Sequence, residues 1–169
     1  MSKDSGIRDA PLSEKGKSQA LRMREKICGL DFDLVICSPL TRAVMTMQIG
    51  LAGRKIPTII TPLIRERCDR LADMGQGYSK LKTMYPDYKL EHFGDEYWWH
   101  GGHADLPPCP HESQDLVRKR AEEFKKYLKT LKEDKVLIVS HGNFIRAFLN
   151  QQVMKLNCSI TEVSLSNLF

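Results

Sequence analysis

The sequence predicts an α/β fold of three layers, with helices on both faces of a mainly parallel central sheet. Three observations lead there. Short apolar runs alternate along the chain with stretches of helical period. The apolar residues 136–139 run directly into Ser140, His141 and Gly142, and a helical pattern starts at once. The same hand-over occurs after Cys37, where Ser38-Pro39-Leu40-Thr41-Arg42 leads into Ala43, Val44, Met47 and Leu51. Such junctions on one parallel sheet open onto a common crevice at the strand ends, where open α/β sheets hold ligands. Arg42 and His141 should therefore meet, although 98 residues lie between them.

In chain order, Ser13 is a natural N-cap, Glu14 suits a first helical turn, and Gly16, Ala20, Met23 and Ile27 recur at helical spacing. A helix over 13–28 follows, stopped by Gly29. Residues 32–37 read as a short buried strand and 58–63 as another, its length limited by Pro57 and Pro62. Residues 64–113 are rich in Gly, Pro, charged and aromatic residues, and a structureless loop of that length is unusual in one domain. They should form a cover over one end of the sheet, with a short helix near 79–85; Trp98 and Trp99 either anchor that cover on the core, the commoner role, or line a substrate entrance. From Gln114, the residues Val117, Ala121, Phe124, Leu128 and Leu131 mark one apolar helical face. Lys, Arg and Glu are assigned to the opposite face, with Glu122 and Lys126 spaced for an ion pair. Ile160, Val163 and Leu165 alternate like a strand at the end.

Composition limits what this fold can do. With 169 residues, 41% hydrophobic and 28% charged, the chain suits a single domain over 1–169. The formal charge of +5 favours an anionic partner, but the basic residues are too dispersed for a nucleic-acid tail, so a phosphate-sized ligand fits better. There is no apolar run of membrane-spanning length and no signal-peptide core, so a soluble cytoplasmic protein is expected. Five scattered cysteines suggest reduced thiols rather than a disulfide framework. His92, His100, His103, Cys109 and His111 offer zinc-type ligands within twenty residues, yet their spacing matches no zinc motif. Neither a metal nor a cofactor is expected. In the crevice, Gly142 permits a sharp turn and the following N–H groups favour an anion. His141 is then a site candidate, although a histidine capping a turn would give the same pattern.

Four motifs in order, Asp9-Ala10-Pro11-Leu12-Ser13-Glu14-Lys15-Gly16, Ser38-Pro39-Leu40-Thr41-Arg42-Ala43, Glu112-Ser113 and Ser140-His141-Gly142, resemble the histidine phosphatase superfamily and its phosphoglycerate mutase-like fold. The resemblance spans nearly the whole chain. It implies phosphoryl transfer through a phosphohistidine, with His141 as the second histidine, which binds the same phosphate. It implies that Arg42 holds phosphate oxygens with its planar fork, and that Gly142 and Asn143 line the substrate site. Glu66 matches the acid that protonates the leaving oxygen, with Asp73 as its competitor. A solvated charge beside Arg65 and Arg67 is the plainer reading of Glu66. The substrate would be a phosphorylated small molecule or a phosphoprotein, and hydrolysis is preferred slightly over mutase transfer.

The sequence departs from that family at its start. The nucleophilic histidine belongs to an Arg-His-Gly motif at the end of a first strand, upstream of the segment matching Asp9 to Gly16. None of the eight residues before Asp9 is histidine, and they hold no apolar run. The expectation is a fold without its first strand and a chain with little or no turnover. Three explanations compete: a start inside the loop after the first strand, which is favoured; a non-catalytic phosphate-binding member; or His141 itself as nucleophile. With an inner strand absent, either its neighbours close up or exposed N–H and C=O groups must find another partner, and reduced stability or strand-mediated homo-oligomers are expected.

Overall fold

A computed structural model describes residues 6–100, 111–151 and 156–168. Helix α1 (Glu14–Ile27) starts where Ser13 accepts the N–H of Gly16, at 3.2 Å. It is followed by strand β1 (Leu34–Cys37), helix α2 (Thr41–Leu51) and strand β2 (Thr58–Ile60). The cover contributes α3 (Tyr78–Met84) and a two-residue strand β3 (Lys89–Leu90). Helix α4 (Gln114–Leu128), capped by Ser113, strand β4 (Val136–Val139) and helix α5 (Gly142–Phe148) follow. The strands lie in the order β3-β2-β1-β4, all parallel, with Cys37 beside Val139 in the register of β1 and β4.

Alternation along β1 builds the three layers. Leu34 and Ile36 face Val117, Ala121, Phe124 and Leu128 of α4 and Phe144 and Phe148 of α5. Val35 and Cys37 face Ala43, Val44, Met47 and Leu51 of α2, which α1 covers in turn. Full burial of each large apolar side chain contributes about 1.5–3 kcal/mol before entropy is counted. The cover has its own core of Leu40, Cys68, Met74, Leu81, Trp98 and Trp99. Gly75 is required there, since a Cβ on it would lie 2.2 Å from the Trp98 ring. Asp9 ties the first segment down: its carboxylate accepts Thr41 N–H at 2.8 Å and the Thr41 hydroxyl at 2.7 Å, capping α2 from outside the helix.

Several expectations are corrected. The second strand stops at Ile60, because Pro62 opens a 3₁₀ turn, Pro62–Ile64. Helix α4 ends at Leu128, and Glu122 pairs with Lys125 at 2.8 Å rather than with Lys126. Arg120 does not join the polar face; it is buried. Ile160, Val163 and Leu165 form no strand and are exposed, since the described sheet offers that segment no neighbouring strand to pair with. Among the described residues no helix is long and apolar enough to cross a membrane.

Candidate functional site

The parallel pairing of β1 with β4 sets Ser38 and His141 side by side where both strands end. His141 occupies the N-cap position of α5 without capping it through its side chain, and its Nε2 lies 2.7 Å from the Ser38 hydroxyl. Burial, reinforced by the positive charges of Arg42 and Arg120, holds the imidazole pKa well below its ordinary value. His141 is therefore neutral near pH 7 and can be either donor or acceptor at a given ring nitrogen. The neighbouring Ser140 donates its hydroxyl to the carbonyl of Ile64 at 2.7 Å, fastening this junction to the turn after β2.

Arg42 rises from the first turn of α2 and is already engaged. One Nη donates to the Ala72 carbonyl at 2.7 Å and the other to the Asp73 carboxylate at 2.8 Å. Asp73 also accepts the backbone N–H groups of Asp69 and Arg70, at 3.4 and 3.2 Å. Burial raises the Asp73 pKa although Arg42 opposes it. In this state Asp73 occupies the part of Arg42 that a phosphate oxygen would take.

Glu66 is not a solvated charge. Its carboxylate accepts Arg67 N–H at 2.8 Å and faces Asn143 N–H, in the first turn of α5, at 3.5 Å. Burial raises its pKa, against the backbone hydrogen bond from Arg67. The flanking arginines turn elsewhere: Arg65 to Glu112 and the Pro62 carbonyl, Arg67 to Asp69. The fields of Asp73 and Arg42 both reach Glu66. Arg42, Glu66, Asp73, His141, Gly142 and Asn143 thus lie near one another at the carboxyl ends of the strands.

Four residues of this neighbourhood carry no role in the sequence reading. Ser38, Glu112 and Ser140 lie inside its motifs, and Arg120 lies outside them. Glu112 and Arg120 are buried, at 1% and 6% exposure, and form a paired unit beneath the turn that carries Glu66. The available signal was that Arg120 falls on the same helical face as Val117, Ala121 and Phe124. Among the described residues no group of His, Cys, Asp and Glu is suited to hold a metal. His92 Nδ1 lies 3.3 Å from the Thr61 hydroxyl and His111 contacts Asp69, while His103 and Cys109 lie outside the described residues.

A neutral histidine, an arginine and the carboxyl groups of Glu66 and Asp73 thus lie near the carboxyl ends of adjacent parallel strands, where open α/β sheets hold ligands. The sequence profile of the histidine phosphatase superfamily (branch 1) matches residues 2–167, and the chain belongs to that superfamily. It is 33% identical over 153 residues to a 2,3-bisphosphoglycerate-dependent phosphoglycerate mutase of Brucella canis, a match covering 85% of this chain and 70% of that relative. The fold resembles the α-ribazole phosphatase of Shigella flexneri, with a TM-score of 0.56 and 24% identity over 86% of this chain and 71% of that one. It also resembles the product of an open reading frame of Mycobacterium tuberculosis, with a TM-score of 0.52 and 28% identity over 86% and 67% of the two chains.

Proposed function

We propose that this chain binds the phosphoryl group of a phosphomonoester in the crevice between the ends of β1 and β4, and that its chemistry is that of a cytoplasmic phosphatase. One observation carries the reading: two strand-to-helix junctions bring His141 and Arg42 to one place, with Glu66 beside them. Arg42 would grip two phosphate oxygens after parting from Asp73. Neutral His141 would donate to a third, and Glu66, whose pKa is raised by burial, would in its protonated form hand a proton to the leaving oxygen. Gly142 and Asn143 would line the wall of the site. The substrate is a phosphorylated small molecule or a phosphoprotein, and no cofactor takes part.

Hydrolysis and mutase transfer would use the same core groups; solved structures of similar fold are named phosphatases and the curated relatives are named mutases, so hydrolysis is the working choice and a parallel mutase assay separates the two. Covalent turnover in this family's manner needs a phosphate-accepting histidine, and the first histidine of the 169 residues is His92. His92 bonds Thr61 in the cover rather than joining His141. Tested as these residues alone, the protein should bind phosphate and hydrolyse little of it, which also accommodates the second reading, a phosphate or phosphoprotein binding module. Turnover of an aryl phosphate and calorimetric binding of inorganic phosphate are the paired tests. Robust turnover abolished by His141→Ala would overturn the expected inactivity. Absence of phosphate binding would overturn both readings.

A further inference from the structure

We propose that Arg120 and Glu112 form one positioning unit for Glu66, fixing where its carboxyl group stands in the crevice. The inference rests on the assignment of Glu66 to the phosphate site. Between Arg65 and Cys68 no helix or strand ladder holds the chain, so side chains must supply the constraints. Arg120 Nη1 donates to the carbonyls of Leu63 and Arg65, both at 2.9 Å. Its Nε and Nη2 grip Glu112 as a fork, at 3.2 and 2.9 Å. Glu112 in turn accepts Arg65 Nη2 at 2.8 Å and Cys68 N–H at 3.1 Å, while its own N–H donates to the Cys68 carbonyl at 2.8 Å.

The backbone is thus pinned on both sides of Glu66, at Leu63 and Arg65 before it and at Cys68 after it. Ser140 completes the frame by holding the Ile64 carbonyl from the His141 junction. Glu66 is in this way placed relative to His141 by bonds reaching from α4 and from the end of β4. A buried ion pair is a poor device for stability alone, because desolvation offsets its attraction and apolar replacements are often as stable. The partners that Arg120 and Glu112 select explain the pair better. Arg120 also bears on the other side of the crevice, since its charge adds to burial and Arg42 in lowering the His141 pKa.

The test follows Glu66 directly. Protein labelled with carboxyl-13C glutamate is titrated by NMR, Glu66 being assigned through Glu66→Gln, and inorganic phosphate affinity is measured across the same pH range. Arg120→Lys keeps the charge and loses the fork; Glu112→Gln keeps the shape and loses the charge. In either variant that unfolds cooperatively, water should reach the loosened turn, and the Glu66 midpoint should fall by about one pH unit towards the ordinary carboxylate value. Phosphate affinity near that midpoint should drop by about threefold as the ionised carboxylate repels the anion. Arg118→Lys, on the exposed face of α4, should change neither. An unmoved Glu66 midpoint in a folded variant overturns the proposal, and failure of both variants to fold would reduce the pair to structural support and overturn it too. If Glu66→Gln leaves the pH profile of phosphate affinity unchanged, it is the assignment of Glu66 to the site that fails, whatever the NMR midpoints do.

Discussion

Replacing Asp73 with asparagine should tighten phosphate binding, because Asp73 and the phosphate compete for Arg42. The carboxylate lies 2.8 Å from Arg42 Nη2, and the two side chains are 10% and 23% exposed. A phosphate on the same guanidinium would stand about 5 Å from that carboxylate, a repulsion of about 3 kcal/mol per unit charge at an effective dielectric constant of about 20. Solvent screening and an asparagine that still accepts one hydrogen bond reduce the net gain to about 1–2 kcal/mol, a five- to thirtyfold lower Kd. Calorimetric titration with inorganic phosphate at pH 7 reads this directly. The gain should shrink as the pH falls, since Asp73, with its raised pKa, becomes neutral in the parent protein as well. Affinity that is unchanged, or weaker by tenfold, would refute the reasoning and make Asp73 a support that holds Arg42 in place.

Gly75→Ala should destabilise the cover by about 1–3 kcal/mol, seen as a lower Tm and altered tryptophan fluorescence, because its Cβ would strike the Trp98 ring. Stability should fall with acidification below about pH 6.5, by at most about 1.4 kcal/mol per pH unit from His141. Its folded pKa lies below the unfolded value, so the unfolded chain takes the proton first; denaturant unfolding should show this slope reduced in His141→Gln. Strand β4 ends the described sheet, and its first three residues are only half-buried, so light scattering should show concentration-dependent self-association. A monomer at every concentration would contradict that edge-pairing expectation.

The parts of the fold that were legible were those where one local pattern suffices. Ser13, Ala20 and Ile27 define α1, the stripe through Val117 and Phe124 defines α4, and the apolar residues of β1 and β4 hand directly to helices. Because parallel strands deliver their junctions to one end, the meeting of Arg42 with His141 was legible too. What no pattern reveals is which way a polar side chain turns once packed. Arg120 reads as a polar-face residue until Glu112 and the carbonyls of Leu63 and Arg65 are found beneath it. Arg42 reads as free until Asp73, 31 residues on, closes over it. Strand β3 is too short for a period, and the alternation of Ile160, Val163 and Leu165 becomes a strand only beside a partner, which the described sheet does not supply.

The central claim is that Arg42 and His141 together make a phosphate site. Titration of inorganic phosphate into the parent protein, Arg42→Ala and His141→Ala, with binding followed by calorimetry and by the 31P resonance, tests it most directly. The account predicts saturable binding at one site per chain, weakened about a hundredfold by Arg42→Ala and about tenfold by His141→Ala, with both variants folded. Equal affinity in all three proteins would contradict it.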